Sequence, residues 1–156
     1  MSLEELSSLF KEYGKTLGAA ESFTGGSFAA SITSIPGASK FFKGSLVTYA
    51  TEEKIKILGI DPERVEKFGV VSQEIGGDMA MHAKYILDVD YAISFTGNAG
   101  PEAMEGKPVG EIYIGVTAYQ TTQVFKYLLE GSREEIVKRA LQLGYSHLEL
   151  MLKSFK

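Results

Sequence analysis

The chain has 156 residues, 44% of them hydrophobic and 23% charged, with a formal net charge of -4. That size and balance describe one globular domain with a single buried core, and the negative charge excludes a global positive field for nucleic acid or an anionic membrane. Any phosphate site must therefore be local, built from a helix terminus and one or two basic side chains. Cysteine is absent, which removes disulfides, thiolate metal sites and a cysteine nucleophile. The N-terminus is acidic where a signal peptide is basic, and no window reaches the length of an apolar membrane span, so cytoplasmic residence is the default expectation.

Ser2 and Glu5 form a capping box ahead of the Leu3, Leu6, Phe10 stripe, which predicts a first helix ending at Gly14. A short apolar strand, Thr16 to Ala20, runs into the turn Glu21-Ser22-Phe23-Thr24-Gly25-Gly26, and helical spacing resumes over Ser27 to Thr33. Strand, Ser/Thr/Gly turn and helix in that order can point hydroxyls and free backbone N–H groups at a small anionic ligand, and Gly25 and Gly26 allow close approach. The same residues also fit a plain N-cap and tight turn. Pro36-Gly37 ends this helix, Gly44 to Ala50 reads as a strand, and Thr51 caps a short helix through Lys54 to Leu58. Asp61-Pro62 and Ser72 open two more helices, the second running to about Leu87. Tyr91 to Phe95 is a buried strand that empties into the loop Thr96-Gly97-Asn98-Ala99-Gly100-Pro101. Glu111 to Ala118 and Gln123 to Leu129 form a hairpin about Tyr119 to Thr122, and a second capping box, Ser132 with Glu135, opens the last helix. Alternating helices and strands with one hairpin predict an α/β domain whose mixed sheet is covered on both faces.

Ligands gather at the carboxyl ends of strands in such sheets, where the Ser22 turn, the Tyr49 to Lys54 segment and the Thr96 loop all fall. A serine nucleophile needs a base, and His82 and His147 both lie in predicted helices away from strand ends. The alternative is Lys54 held neutral by burial, with the Tyr49 hydroxyl relaying a proton or stabilising an oxyanion. Alternatively, Lys54 is a solvated helix lysine and Tyr49 an ordinary sheet residue. Asp78 and His82 share a helix face but have no third ligand, so no metal is expected, and neither phosphate-loop nor dinucleotide-binding glycine patterns occur.

In several ordered motifs the chain resembles the CinA C-terminal domain family, the nicotinamide-nucleotide amidases. These are Ala-Glu-Ser-Phe-Thr-Gly-Gly at 20 to 26, Pro36-Gly37, Val47-Thr48-Tyr49 followed by Glu52-Glu53-Lys54, Leu58-Gly59, Val71-Ser72, Thr96 to Pro101, and Lys107 to Gly110. The resemblance covers nearly the whole chain. It implies a three-layer α/β/α sandwich with a mixed, mostly parallel five-stranded sheet. It also implies hydrolysis of nicotinamide mononucleotide to nicotinate mononucleotide and ammonia, without metal or cofactor. On that basis Ser22, Tyr49 and Lys54 carry the catalysis. Thr24, Gly25, Gly26, Thr96, Gly97 and Arg133 bind the substrate, and the protein is expected to be a homo-oligomer that takes a small nucleotide and no nucleic acid or membrane. The chain departs from the family pattern at Phe23, at Ala50-Thr51, at Asn98 and at Val137, which stands where a second arginine is common; Arg139 is the candidate replacement. An inactive nucleotide-binding or partner-binding module of the same fold is the competing expectation, and a different small-amide hydrolase with the same nucleophile is a third.

Overall fold

The structure, a computed structural model, describes residues 2 to 155. Helix α1 (Leu3–Tyr13) has both arms of its capping box, Glu5 N to Ser2 Oγ at 3.1 Å and Ser2 N to Glu5 Oε2 at 3.0 Å. Strand β1 spans Leu17–Glu21, one residue later than expected, because Thr16 is drawn to Asp90 through its N–H and its hydroxyl (2.9 and 3.1 Å). After the turn come α2 (Ser27–Thr33), a 3-10 turn at Ala38–Lys40, and β2 (Phe42–Val47). The sequence placed β2 at Gly44 to Ala50. It starts earlier because Phe42 pairs with Leu17, and it stops earlier because Val47 pairs with Glu21, the last residue of β1.

Helix α3 is Thr51–Lys56, with extended Ala50 in the cap position, so Thr51 opens the helix instead of capping it. Asp61 caps α4 (Pro62–Phe68) and Ser72 caps α5 (Gln73–Leu87), both through side-chain bonds to backbone N–H groups. Strand β3 runs from Tyr91 through Gly97, two residues beyond Phe95, because β4 (Glu111–Ala118) pairs with it as far as Gly97↔Ile112. Strand β5 is Thr121–Leu128, so the hairpin tip is only Tyr119 and Gln120, and α6 covers Arg133–Ser154.

The sheet order is β2-β1-β3-β4-β5, with β2, β1 and β3 mutually parallel and the β4–β5 hairpin antiparallel. Only β4 runs against the rest, so the sheet is mixed and mostly parallel, as expected. Alternation of side chains divides the interior in two. On one face Leu6, Phe10, Phe28, Ile93, Ile136 and Leu148 pack beneath α1, α2 and α6; on the other Ile75, Met79 and Ala83 of α5 meet Leu58, Ile60, Val65 and Ala92. Burial of such aliphatic side chains stabilises the fold by about 1.5–3 kcal/mol each. Among the described residues no helix is long and apolar enough to cross a membrane.

Candidate active site

The site grows from the carboxyl end of β1. Ser22 N donates to Phe95 O at 2.9 Å, extending the β1–β3 ladder one residue into the turn. Strand alternation sends Glu21 toward α2 and the next side chain, Ser22, toward α3. There Lys54 Nζ lies 3.0 Å from Ser22 Oγ, 2.6 Å from Thr48 O and 3.4 Å from Tyr49 O. Lys54 is fully buried and Ser22 is 8% exposed. Burial pushes the Lys54 ammonium from its ordinary 10.5 down to about 8, while the carboxylates of Glu105 and Glu52 draw it partly back. As an ammonium Lys54 donates to all three partners; once it loses a proton, its two N–H bonds can stay on the carbonyls, which leaves the lone pair for the serine hydroxyl.

Gly25 (φ 58°) and Gly26 (φ 100°) carry the turn through left-handed backbone that side chains disfavour. Gly26 occupies the cap position of α2 without a side-chain cap, so Ser22 and Thr24 are not its N-cap. The sequence expected N–H groups of Thr24 to Gly26 to face a ligand, and the structure divides them. Gly25 N donates to Ser22 O at 3.0 Å and Gly26 N to Glu21 Oε1 at 3.2 Å. The N–H groups of Phe23 and Thr24 donate no hydrogen bond within the described residues. They directly follow the serine.

A cleft of about 630 Å³ opens beside this turn, lined by Phe23, Thr24, Gly25, Ser27 and Tyr49 on one side and by Arg133, Glu134, Val137, Lys138 and Leu141 of α6 on the other. Phe23, Val137 and Leu141 make it apolar, and Arg133 and Lys138 supply two cations. Arg133 also braces the rim: its Nη1 donates to Gly100 O at 2.7 Å and its Nη2 to the Tyr49 hydroxyl at 2.9 Å. The Tyr49 hydroxyl therefore meets Arg133 and makes no hydrogen bond to Ser22 or Lys54 among the described residues; it is the Tyr49 carbonyl that reaches Lys54. Arg139 lines a separate cleft of about 650 Å³ with Glu130 and Glu135, so the basic residue beside Val137 in the first cleft is Lys138. Its signal was in the sequence: Glu134, Lys138 and Leu141 repeat at helical spacing next to the Arg133–Val137 pair.

Thr96 and Gly97 both have close partners within the fold. The Thr96 hydroxyl is buried and donates to Val70 O at 2.6 Å, and a Cβ on Gly97 would stand 2.6 Å from Ile112 Cα, so glycine is what lets β4 approach. Asn98 organises its own loop, accepting from Gly100 N at 3.1 Å through its side chain and from Gly110 N at 2.6 Å through its carbonyl. Farther along, Glu105 fastens the loop to the α4–α5 connection by accepting from Val70 N (3.0 Å) and Val71 N (2.9 Å). Among the described residues no group of three or more acidic or histidine side chains is placed to hold a metal. Sequence reasoning missed Lys138 despite its helical spacing, and it missed Glu21 and Glu105 because their partners are set by tertiary contacts.

The CinA C-terminal domain matches residues 2–152. A CinA-like protein of Endomicrobium trichonymphae is 46% identical over 145 residues, which are 92% of this chain and 34% of that protein. A CinA-like protein of Petrotoga mobilis is 43% identical over 143 residues, 90% of this chain and 36% of that protein. The chain thus spans about a third of the length of the curated relatives it matches, 36% of each of the first two. Among solved structures, the competence or damage-inducible protein from Enterobacter asburiae superposes with a TM-score of 0.93 at 28% identity, covering 97% of this chain and 99% of that one. With the domain matched along nearly its whole length and its fold reproduced, the chain belongs to the CinA C-terminal domain family.

Proposed function

We propose that the domain hydrolyses the carboxamide of nicotinamide mononucleotide to a carboxylate and ammonia, with Ser22 as nucleophile and Lys54 as its base. The observation that supports this most strongly is the 3.0 Å contact between Ser22 Oγ and the amine of a fully buried lysine. Ser22 Oγ attacks the carboxamide carbon as its proton passes to Lys54 Nζ, and the carbonyl electron pair moves onto oxygen. The N–H groups of Phe23 and Thr24 hold that oxyanion. Collapse breaks the carbon–nitrogen bond, and the leaving nitrogen takes the proton from Lys54 and departs as ammonia. Water then attacks the Ser22 ester as Lys54 again accepts a proton, that proton passes to Ser22 Oγ as the ester bond breaks, and the carboxylic acid formed gives its remaining proton to ammonia or solvent and leaves as the carboxylate. The apolar side of the cleft suits the pyridine ring, and Arg133 and Lys138 suit the phosphate. Tyr49, held by Arg133, shapes the mouth of the cleft.

Ammonia release from nicotinamide mononucleotide by the purified protein tests this directly. Ser22→Ala is expected to abolish release while remaining folded, since the change removes one hydrogen bond worth about 1 kcal/mol. Substantial turnover by a folded Ser22→Ala protein would instead mean direct attack by water. One observation favours a second reading, a nucleotide-binding module without turnover: Val137 presents an apolar side chain to the cleft between Arg133 and Lys138. That reading predicts binding of the nucleotide with no ammonia released at any pH.

A further inference from the structure

Glu21 closes β1 and is completely buried, yet no step above uses it. Its carboxylate accepts five hydrogen bonds: Oε1 from Thr24 Oγ1 (2.7 Å), Gly26 N (3.2 Å) and Phe28 N (2.9 Å), and Oε2 from Ala29 N (3.2 Å) and Ser45 Oγ (2.7 Å). Among the described residues no basic side chain forms an ion pair with it. A buried carboxylate without a counter-ion is costly unless every lone pair is engaged, and these five donors fill its capacity of about four lone-pair sites. The donors come from three places, namely the 22–26 turn, the first turn of α2 and β2, so one rigid group ties all three together. The N–H groups of Gly26, Phe28 and Ala29 are thereby taken up by the protein itself.

We infer that Glu21 is a positioning residue for the hydrolysis proposed above: its carboxylate clamps the turn so that Ser22 Oγ stays on Lys54 while the N–H groups of Phe23 and Thr24 remain free for the substrate oxygen. The inference rests on Ser22 being the nucleophile. It also directs the anionic end of the substrate away from α2, whose leading N–H groups are filled, toward Arg133 and Lys138. Glutamine matches the volume of glutamate but offers one acceptor oxygen, and its NH₂ cannot accept from Ala29 N or Phe28 N. Glu21→Gln therefore loosens the turn without enlarging the core.

The experiment compares parent, Glu21→Gln and Ser45→Ala, the last removing a single one of the five bonds. Each is followed by ammonia release, by its pH profile, and by the rate at which phenylmethanesulfonyl fluoride sulfonylates Ser22 with loss of fluoride, located by mass spectrometry. A reacting atom misplaced by about 1 Å costs about 10²-fold, so kcat and labelling rate of Glu21→Gln are expected to fall by roughly that factor. KM should stay within about threefold of the parent and the midpoint of the pH profile unmoved, because the cations Arg133 and Lys138 and the base Lys54 are untouched. Ser45→Ala, which leaves four bonds, should show the same pattern with a loss of about threefold to tenfold, and if Glu21→Gln does not fold, a Ser45→Ala loss below about twofold overturns the inference. A folded Glu21→Gln with kcat and labelling within about twofold of the parent overturns the inference, as does a loss confined to KM. If the parent labels at Ser22 but releases no ammonia, the substrate assignment fails while the labelling rates still judge Glu21. A parent that neither turns over nor labels overturns both.

Discussion

At Lys54 the same burial that makes an amine useful as a base makes it a burden to the fold. The unfolded chain holds this proton up to the ordinary value of 10.5, whereas the folded chain releases it near 8. Between those values the unfolded state binds more protons, so parent stability rises with pH, and below them the buried ammonium costs about 3 kcal/mol. Lys54→Met removes the titration. The difference in unfolding free energy between the two proteins is therefore expected to move by about 3 kcal/mol in the parent's favour from about pH 7 to about pH 10.5. Denaturant unfolding of both proteins at several pH values checks this, and a pH-independent difference would contradict a charge forced into the interior. Residue positions such as Ser22 and Lys54 were legible from motif spacing. Their pairing was an expectation too, but the geometry behind it was not legible, since the lysine meets the serine only because β2 stops at Val47 and the chain turns back through Thr48 and Tyr49.

The elements supply what no single residue has. Helix α6 begins with an intact capping box at Ser132 and Glu135, so its first turn is a firm platform from which Arg133 reaches both Tyr49 and Gly100. Arginine opposes the helix dipole at that position, and it is held there by acceptors from two other segments. Arg133→Ala is expected to lower stability by only about 1–2 kcal/mol, because the bonds it removes lie near the surface. Binding of nicotinamide mononucleotide should weaken more than binding of nicotinamide, as calorimetry would show, since the phosphate loses a cation and the ring does not. Equal weakening of both ligands would make Arg133 a brace alone. Capping boxes and breakers made α1, α5 and α6 readable to within a residue of their starts. Strand ends were less readable, because β2 and β3 end where a neighbour does: Val47 opposite Glu21, and Gly97 opposite Ile112.

For the whole molecule, three parallel strands bring the Ser22 turn, the Thr48 to Lys54 segment and the β3–β4 loop to one edge of the sheet, and α6 closes that edge from the far end of the chain. The alternation of elements made this layered architecture legible. The packing of Thr96 and Gly97 was not, because the Val70 carbonyl that accepts from the hydroxyl and the β4 backbone behind the glycine are brought there by tertiary contacts. Glu21 was equally opaque, since nothing local distinguishes a buried carboxylate clamp from an ordinary strand-end acid. If Lys54 acts as a neutral amine on Ser22, a pH–rate profile of ammonia release from nicotinamide mononucleotide carries its titration. Parent activity is predicted to rise with pH and level off above about 8, the value to which burial brings Lys54. Lys54→Arg, which keeps the charge but stays protonated, should fall by at least about 10²-fold at every pH. A folded Lys54→Arg protein that retains most of the parent's turnover would contradict the account, making Lys54 a fixed cation and leaving Ser22 without its base.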